Sequence, residues 1–250
     1  MTDEYSGLVA DIKDYLRHLK TSGKTSIVLP ERKTAKADSD AVPALARELS
    51  PSREAELDRI AAEIAKCEAC PLHRTRSNVV PGAGALNPDI MFIGEGPGKD
   101  EDMQGLPFVG RSGELLNRLI GRMGYTRDEV FIGNIVKCRP TVDYQMERDR
   151  PPTEDEMQAC IHFLKAQIAV IKPKVIVALG NTAILGLFGL TGITKLRGEW
   201  LEYEGIPTMP TYHPSFLLRG GGSKGKRFWE VWEDMLLVFE KLGKEPPPSK

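Results

Sequence analysis

Between Asp89 and Leu116 the chain reads DIMFIGEGPGKDEDMQGLPFVGRSGELL, a short apolar run that leads straight into a loop of glycines and carboxylates. No other stretch restricts the fold as much. Asp89 to Ile93 suits a strand buried on both faces, and Gly94, Gly96, Gly98, Gly105 and Gly110 let the backbone turn tightly and approach a ligand. Glu95, Asp100, Glu101 and Asp102 lie within that turn. Ser112 is expected to cap the next helix, whose Leu115, Leu116, Leu119, Ile120 and Met123 fall at helical spacing.

The same alternation continues downstream. A helix is predicted over Ala55 to Lys66, one over Ser112 to Met123, and a second strand over Val130 to Lys137. Thr153 and Glu156 form a capping box for a helix through Gln158 to Ile171. Val175 to Leu179 (VIVAL) is a third buried strand, Asn181 to Leu187 a short helix, Thr208 to Tyr212 a fourth strand, and Phe228 to Leu242 a closing helix. This order predicts one α/β domain over residues 51–243, followed by a frayed tail at 244–250. Residues 3–20 place Tyr5, Leu8, Val9, Ile12, Leu16 and Leu19 on one helical face, and residues 21–50 read as a polar linker broken by Pro30 and Pro43. Amphipathicity says only that one side is buried, so packing on the main domain is expected ahead of a partner-binding arm.

Composition narrows the partners. No run approaches the roughly 18 apolar residues of a membrane span, and the acidic start MTDEYSG is unlike a secretory signal, so a cytoplasmic protein is expected. A formal net charge of -1 offers no global field to a polyanion, which must therefore meet a local patch. Phe216 to Arg227 supplies one: Arg219, Lys224, Lys226 and Arg227 sit among glycines with no acid between them. Such a loop can follow phosphates, and the leucines before it can wedge into a base stack; a solvated surface loop is the plainer reading.

Parallel strands joined by helices bind ligands beyond their carboxyl ends. Past the predicted strands lie Glu95, then Asn134 with Lys137 and Cys138, then Gly180 and Asn181, then His213. Pro214 restrains the backbone after His213 and so directs its imidazole. Asn134, flanked by Ile132, Ile135 and Val136, carries an amide that needs partners if buried, and a nucleobase edge offers a donor beside an acceptor. Phe108, set by Pro107, is either core or a platform for a flat heterocycle. The glycine loop fits neither a Walker loop nor a G-x-G-x-x-G turn, and its carboxylates repel phosphate, which favours a neutral ring as occupant. Cys67 and Cys70 form a C-x-x-C, with Cys138 and Cys160 further on. Four thiols suit a metal site better than disulfides in a cytosolic chain, and their spacing leaves zinc, an iron-sulfur group and unrelated core cysteines open.

Three motifs in order, G-E-G-P-G with E-D-x-x-G-x-P-F-V-G-x-x-G at 94–113, N-I-V-K-C-R-P at 134–140 and H-P-S at 213–215, together with the four cysteines, resemble the family 4 uracil-DNA glycosylases over about residues 60–242. The resemblance implies a four-stranded parallel sheet in an α/β/α sandwich and a monomer that flips uracil out of DNA, single or double stranded, and hydrolyses its glycosidic bond in base excision repair. It implies a [4Fe-4S] cluster on Cys67, Cys70, Cys138 and Cys160. Phe108 would stack on the uracil, Asn134 would bond its edge, His213 would face its O2, and Ser215 of the same H-P-S motif would also touch the substrate. The backbone around Glu95 and Gly96 would complete the pocket, Glu101 would lie near uracil C5, and Glu95 or Glu101 would position the water. Arg219, Lys224, Lys226 and Arg227 would meet DNA phosphates, and the N-terminal helix is a candidate contact for a repair partner. A non-catalytic DNA-binding module of the same fold is the alternative. The interval 139–159 is longer than the family pattern, with TVDYQMERDR as the apparent insertion, and it lacks the histidine with which a related branch crosslinks to uracil-DNA.

Overall fold

In the computed structural model, which describes residues 52–142 and 148–248, Ser52 accepts a hydrogen bond from the Ala55 N–H and starts α1 (Arg53–Lys66). Ile60 and Ile64 are its buried face. The described chain belongs to a unit that begins at Pro51, and the expected helix over residues 3–20, with its linker, lies outside the described residues.

The predicted alternation then unfolds in order. A short edge strand β1 (Ala83–Gly84) precedes β2 (Ile90–Gly94), all of whose residues are buried. The carboxylate loop folds into α2 (Lys99–Gln104), and α3 (Arg111–Arg122) follows. β3 (Phe131–Asn134) leads through the cysteine turn to α4 (Glu154–Ile171), which the expected Thr153–Glu156 capping box starts. Next come β4 (Val175–Leu179), α5 (Gly180–Phe188), a single turn α6 (Ile193–Leu196), β5 (Leu201–Tyr203), β6 (Ile206–Thr211), a short α7 (Pro214–Leu218) and α8 (Lys226–Leu242).

The sheet order is β1-β3-β2-β4-β6-β5. Its centre is the expected set of four parallel strands, registered Met91 to Phe131, Ile90 to Val175 and Val177 to Met209. Two short antiparallel strands extend the edges, β1 on β3 and β5 on β6, so the whole is a six-stranded mixed sheet. At two and three residues each, the edge strands are too short to leave a periodic pattern in sequence. Ile93, Ile132 and Val177 in the strands and Leu116, Leu164 and Met235 in the helices form one continuous apolar core.

Three local expectations change. Ser112 does not cap α3; Gly110 stands at the N-cap and Ser112 is already in the first turn. Leu217, expected among wedging leucines, is buried in the core, leaving Phe216 and Leu218 partly exposed. Lys244, expected in a frayed tail, is tied down: its Nζ donates to Asp89 Oδ2 at 2.6 Å and to Tyr125 Oη at 2.9 Å.

Candidate active site

Three of the parallel strand ends deliver the predicted residues to one open cleft lined by Glu95, Gly96, Glu101, Phe108, Asn134 and His213, with Ser215 beside them. β2 brings Glu95 and Gly96, β3 brings Asn134, and β6 brings His213. Two glycines permit this crowding. A Cβ on Gly94 would stand 2.6 Å from both Asn134 Oδ1 and the Phe108 ring, and one on Gly96 would stand 2.6 Å from Val136 Cγ2.

Asn134 is buried, and its Oδ1 has no hydrogen-bond partner within the protein. A buried unmet acceptor costs on the order of 1–3 kcal/mol, so a ligand donor has a ready place. Lys137, also buried, secures the strand behind it: its Nζ donates to Asn134 O at 2.9 Å and to Gln167 Oε1 at 2.8 Å. Desolvation holds that ammonium well below the usual lysine range, at about 8.

Phe108 stands across the cleft from His213, with ring centroids 5.6 Å apart. Its backbone is in the left-handed region at φ +52°, a costly conformation for a non-glycine residue that the surroundings must enforce. Arg127 does so by donating to the carbonyls of Phe108, at 3.0 Å, and Pro107. Arg127 lies far along the chain from Phe108 and has no local signature, so the sequence did not reveal it.

The imidazole of His213 has a defined donor side. Its Nδ1 accepts from the Ser215 N–H at 3.1 Å and lies 2.8 Å from Ser215 Oγ. An Nδ1 that accepts a backbone proton leaves the ring proton on Nε2. Desolvation lowers the histidine pKa to about 4, so the ring is neutral near pH 7. Ser215, expected to touch substrate, holds the imidazole as well as lining the cleft.

The two glutamates differ. Glu101 accepts three backbone N–H bonds, from Gly98 at 3.1 Å and from Val109 and Gly110 at 3.0 Å each. Oε1 takes two of these bonds and Oε2 one, so the carboxylate fixes the loop and keeps one acceptor site on Oε2. Glu95 receives one bond, from Thr182 Oγ1 on α5, and desolvation raises its carboxyl above the ordinary range. Thr182 was also missed from sequence, where it is one threonine in an apolar helix.

Residues beyond Cys138 supply another wall. Pro140, Asp149 and Arg150 line the cleft. Thr141 bridges Asp149, Val142 N donates to Arg148 O at 2.9 Å, and Arg139 Nε pairs with Asp149 Oδ1 at 2.6 Å. The unexpected interval is thus, at its described ends, an antiparallel arm beside the pocket. Arg150 anchors it to α4 through two 2.7 Å bonds to Glu156. At the fourth strand end, Asn181 caps α6 by accepting from Gly192 and Ile193, while Gly180, at φ +87°, lets β4 close on His213.

The basic residues behave as a surface. Arg219, Lys224, Lys226 and Arg227 are exposed after α7, with the Arg219 and Arg227 guanidinium carbons 5.8 and 4.0 Å from the Phe216 ring centre. Lys226 is 3.8 Å from Glu230.

Cys67, Cys70, Cys138 and Cys160 line a second cavity, between the end of α1, the turn after β3 and the first half of α4. Cys160 Sγ accepts from the Lys137 N–H, and Cys138 Sγ from Arg76 Nη1, each at 3.3 Å. Burial pushes all of Cys70, Cys138 and Cys160 up as thiols, Cys160 to about 12, so a bound cation must displace those protons. Among the described residues no three His, Cys, Asp or Glu side chains are grouped to hold a single metal ion.

Residues 81–236 match the family model described as the uracil DNA glycosylase superfamily. A type-4 uracil-DNA glycosylase of Thermotoga maritima is 47% identical over 199 residues, covering 78% of this chain and 98% of the relative. Its counterpart from Archaeoglobus fulgidus is 40% identical, over 76% of this chain and 96% of its own. A third, from Saccharolobus solfataricus, is 44% identical over 65% of this chain and 77% of its own.

Proposed function

The chain belongs to the uracil-DNA glycosylase superfamily, within its type-4 branch, and on that footing we propose that it removes uracil from DNA in a pocket that meets the extruded base on its face, its edge and its O2. The observation that carries the reading is the unmet Asn134 oxygen, set beside the Phe108 ring and the neutral His213 in one cleft. Asn134 Oδ1 accepts the uracil N3–H, a proton that cytosine lacks. Phe108 stacks on the ring, repaying part of the few kcal/mol that unstacking costs. Glu101, immobilised by three N–H bonds, forms the wall near C5 and cannot swing away for a thymine methyl.

When the C1′–N1 bond breaks, its electron pair goes to the base and positive charge grows on the sugar. The His213 Nε2–H donates to the developing charge at O2 without losing its proton. Glu95, desolvated and held by Thr182, takes the proton of the water that adds to C1′. Arg219, Lys224, Lys226 and Arg227 receive the flanking phosphates.

Cys67, Cys70, Cys138 and Cys160 fit a [4Fe-4S] cluster as an all-thiol set with N–H donors at two sulfurs. Four thiols drawn from three separate elements around one cavity match the scattered ligation that iron-sulfur groups accept. Held by these four residues, such a group would tie α1, the turn after β3 and α4 together, and its chemistry here would be structural.

The test incubates the purified protein with matched oligonucleotides carrying uracil, thymine or hypoxanthine and then cleaves with alkali. Breakage at uracil and none at thymine is expected. A protein that retains uracil-DNA but releases no base overturns the catalytic reading.

A further inference from the structure

Arg76 lies in the wall of the cysteine cavity with its guanidinium spread over three acceptors. Nη1 donates to Cys67 O at 2.7 Å and to Cys138 Sγ at 3.3 Å, while Nη2 donates to Ala65 O at 3.0 Å. The two carbonyls are orphan acceptors at the end of α1, where a cation also complements the helix dipole. They fix the guanidinium plane and hold the remaining donor against the sulfur. Among the described residues Arg76 is the one charged side chain with a hydrogen bond to a cysteine sulfur; Cys160 receives a neutral backbone N–H, and the ammonium of Lys137 is engaged with Asn134 and Gln167.

We propose that Arg76 is a positioning and electrostatic residue for the iron-sulfur group, setting its reduction potential through the charge-assisted N–H···S bond to Cys138. The inference rests on reading the four cysteines as cluster ligands. One-electron reduction adds one negative charge to the cluster and its thiolates. A fixed cation at hydrogen-bond distance from a ligand sulfur stabilises the reduced form more than the oxidised one, and so raises the potential.

Iron and sulfide content and absorbance near 400 nm first establish the cluster in the wild-type protein; their absence sinks the underlying reading and the role of Arg76 with it, whereas the variants test that role alone in a protein shown to carry the cluster. Film voltammetry, with the electrode as electron source, then compares Arg76→Gln, Arg76→Met and Arg76→Lys. Both neutral variants are expected to shift the midpoint to more negative potential, and the lysine variant to recover at least half of the shift. Neutral variants with a full visible band and a wild-type midpoint overturn the proposal. A measurement on the unmutated protein guards against variants that fail to load: pulsed EPR of the paramagnetic one-electron form, with and without 15N-arginine labelling. A coupling that changes with the label supports the bond, and no arginine nitrogen coupled to the cluster overturns it.

Discussion

In the proposed reaction His213 concentrates the chemistry because its two nitrogens are unequal: Ser215 occupies Nδ1, which leaves Nε2–H to face the base. Replacing it with alanine should cost about 3 kcal/mol at the transition state, on the scale of losing one oxyanion donor, or roughly a hundredfold in kcat. Single-turnover assays beside equilibrium binding check this, and intact turnover removes the assigned role. The imidazole should titrate near 4 by NMR, below the ordinary 6.5. Because the folded-state pKa is the lower one, the unfolded chain binds the proton more readily, and this group erodes stability as pH falls from about 6.5 toward about 4. Gly94→Ala tests the close approach of Asn134 and Phe108: its new Cβ falls 2.6 Å from each. At least a tenfold fall in kcat/KM is expected, with the far-UV CD spectrum preserved. The pocket residues at strand ends were legible because the parallel-sheet rule says where a ligand sits. Thr182 and Arg127 were not, since their partners are distant in sequence and neither residue type marks the role.

At the scale of elements, the carboxylate loop is rigid for a reason that its composition conceals. Four acids in a turn suggest several reactive groups, yet Asp102 accepts from the Ser77 N–H at 2.9 and 3.1 Å and Glu101 from three other backbone donors. Glu101→Gln turns one acceptor oxygen into a donor facing N–H groups, which should destabilise the fold by about 1–3 kcal/mol. Urea unfolding measures that loss, and thymine-DNA cleavage by the same variant reports whether the wall near C5 has softened. The five longer helices, α1, α3, α4, α5 and α8, and the four central strands were readable from apolar periodicity to within a few residues, whereas the short α2, α6 and α7 were not. The edge strands and the pairing of Thr141 and Val142 with Asp149 and Arg148 were not, because pairing of a few residues leaves no period to detect.

Across the whole molecule, the four cysteines line one cavity between elements that the sheet does not unite. The turn carrying Cys138 continues directly into Arg139 and Pro140, and Arg150 returns to α4 at Glu156, one helical turn before Cys160. Cys138→Ala should therefore remove the absorbance near 400 nm, lower the melting temperature and slow uracil release by loosening the pocket wall. A variant without the band but with wild-type melting and rate would detach the cavity from the fold's stability. The pocket's side chains are held by the protein's own contacts: Arg127 pins Phe108 and Ser215 turns His213, while Asn134 presents an oxygen that no protein group meets. Recognition groups held by the protein's own contacts will also grip the detached pyrimidine, so free uracil should compete with substrate and the departure of product should limit steady-state cycling.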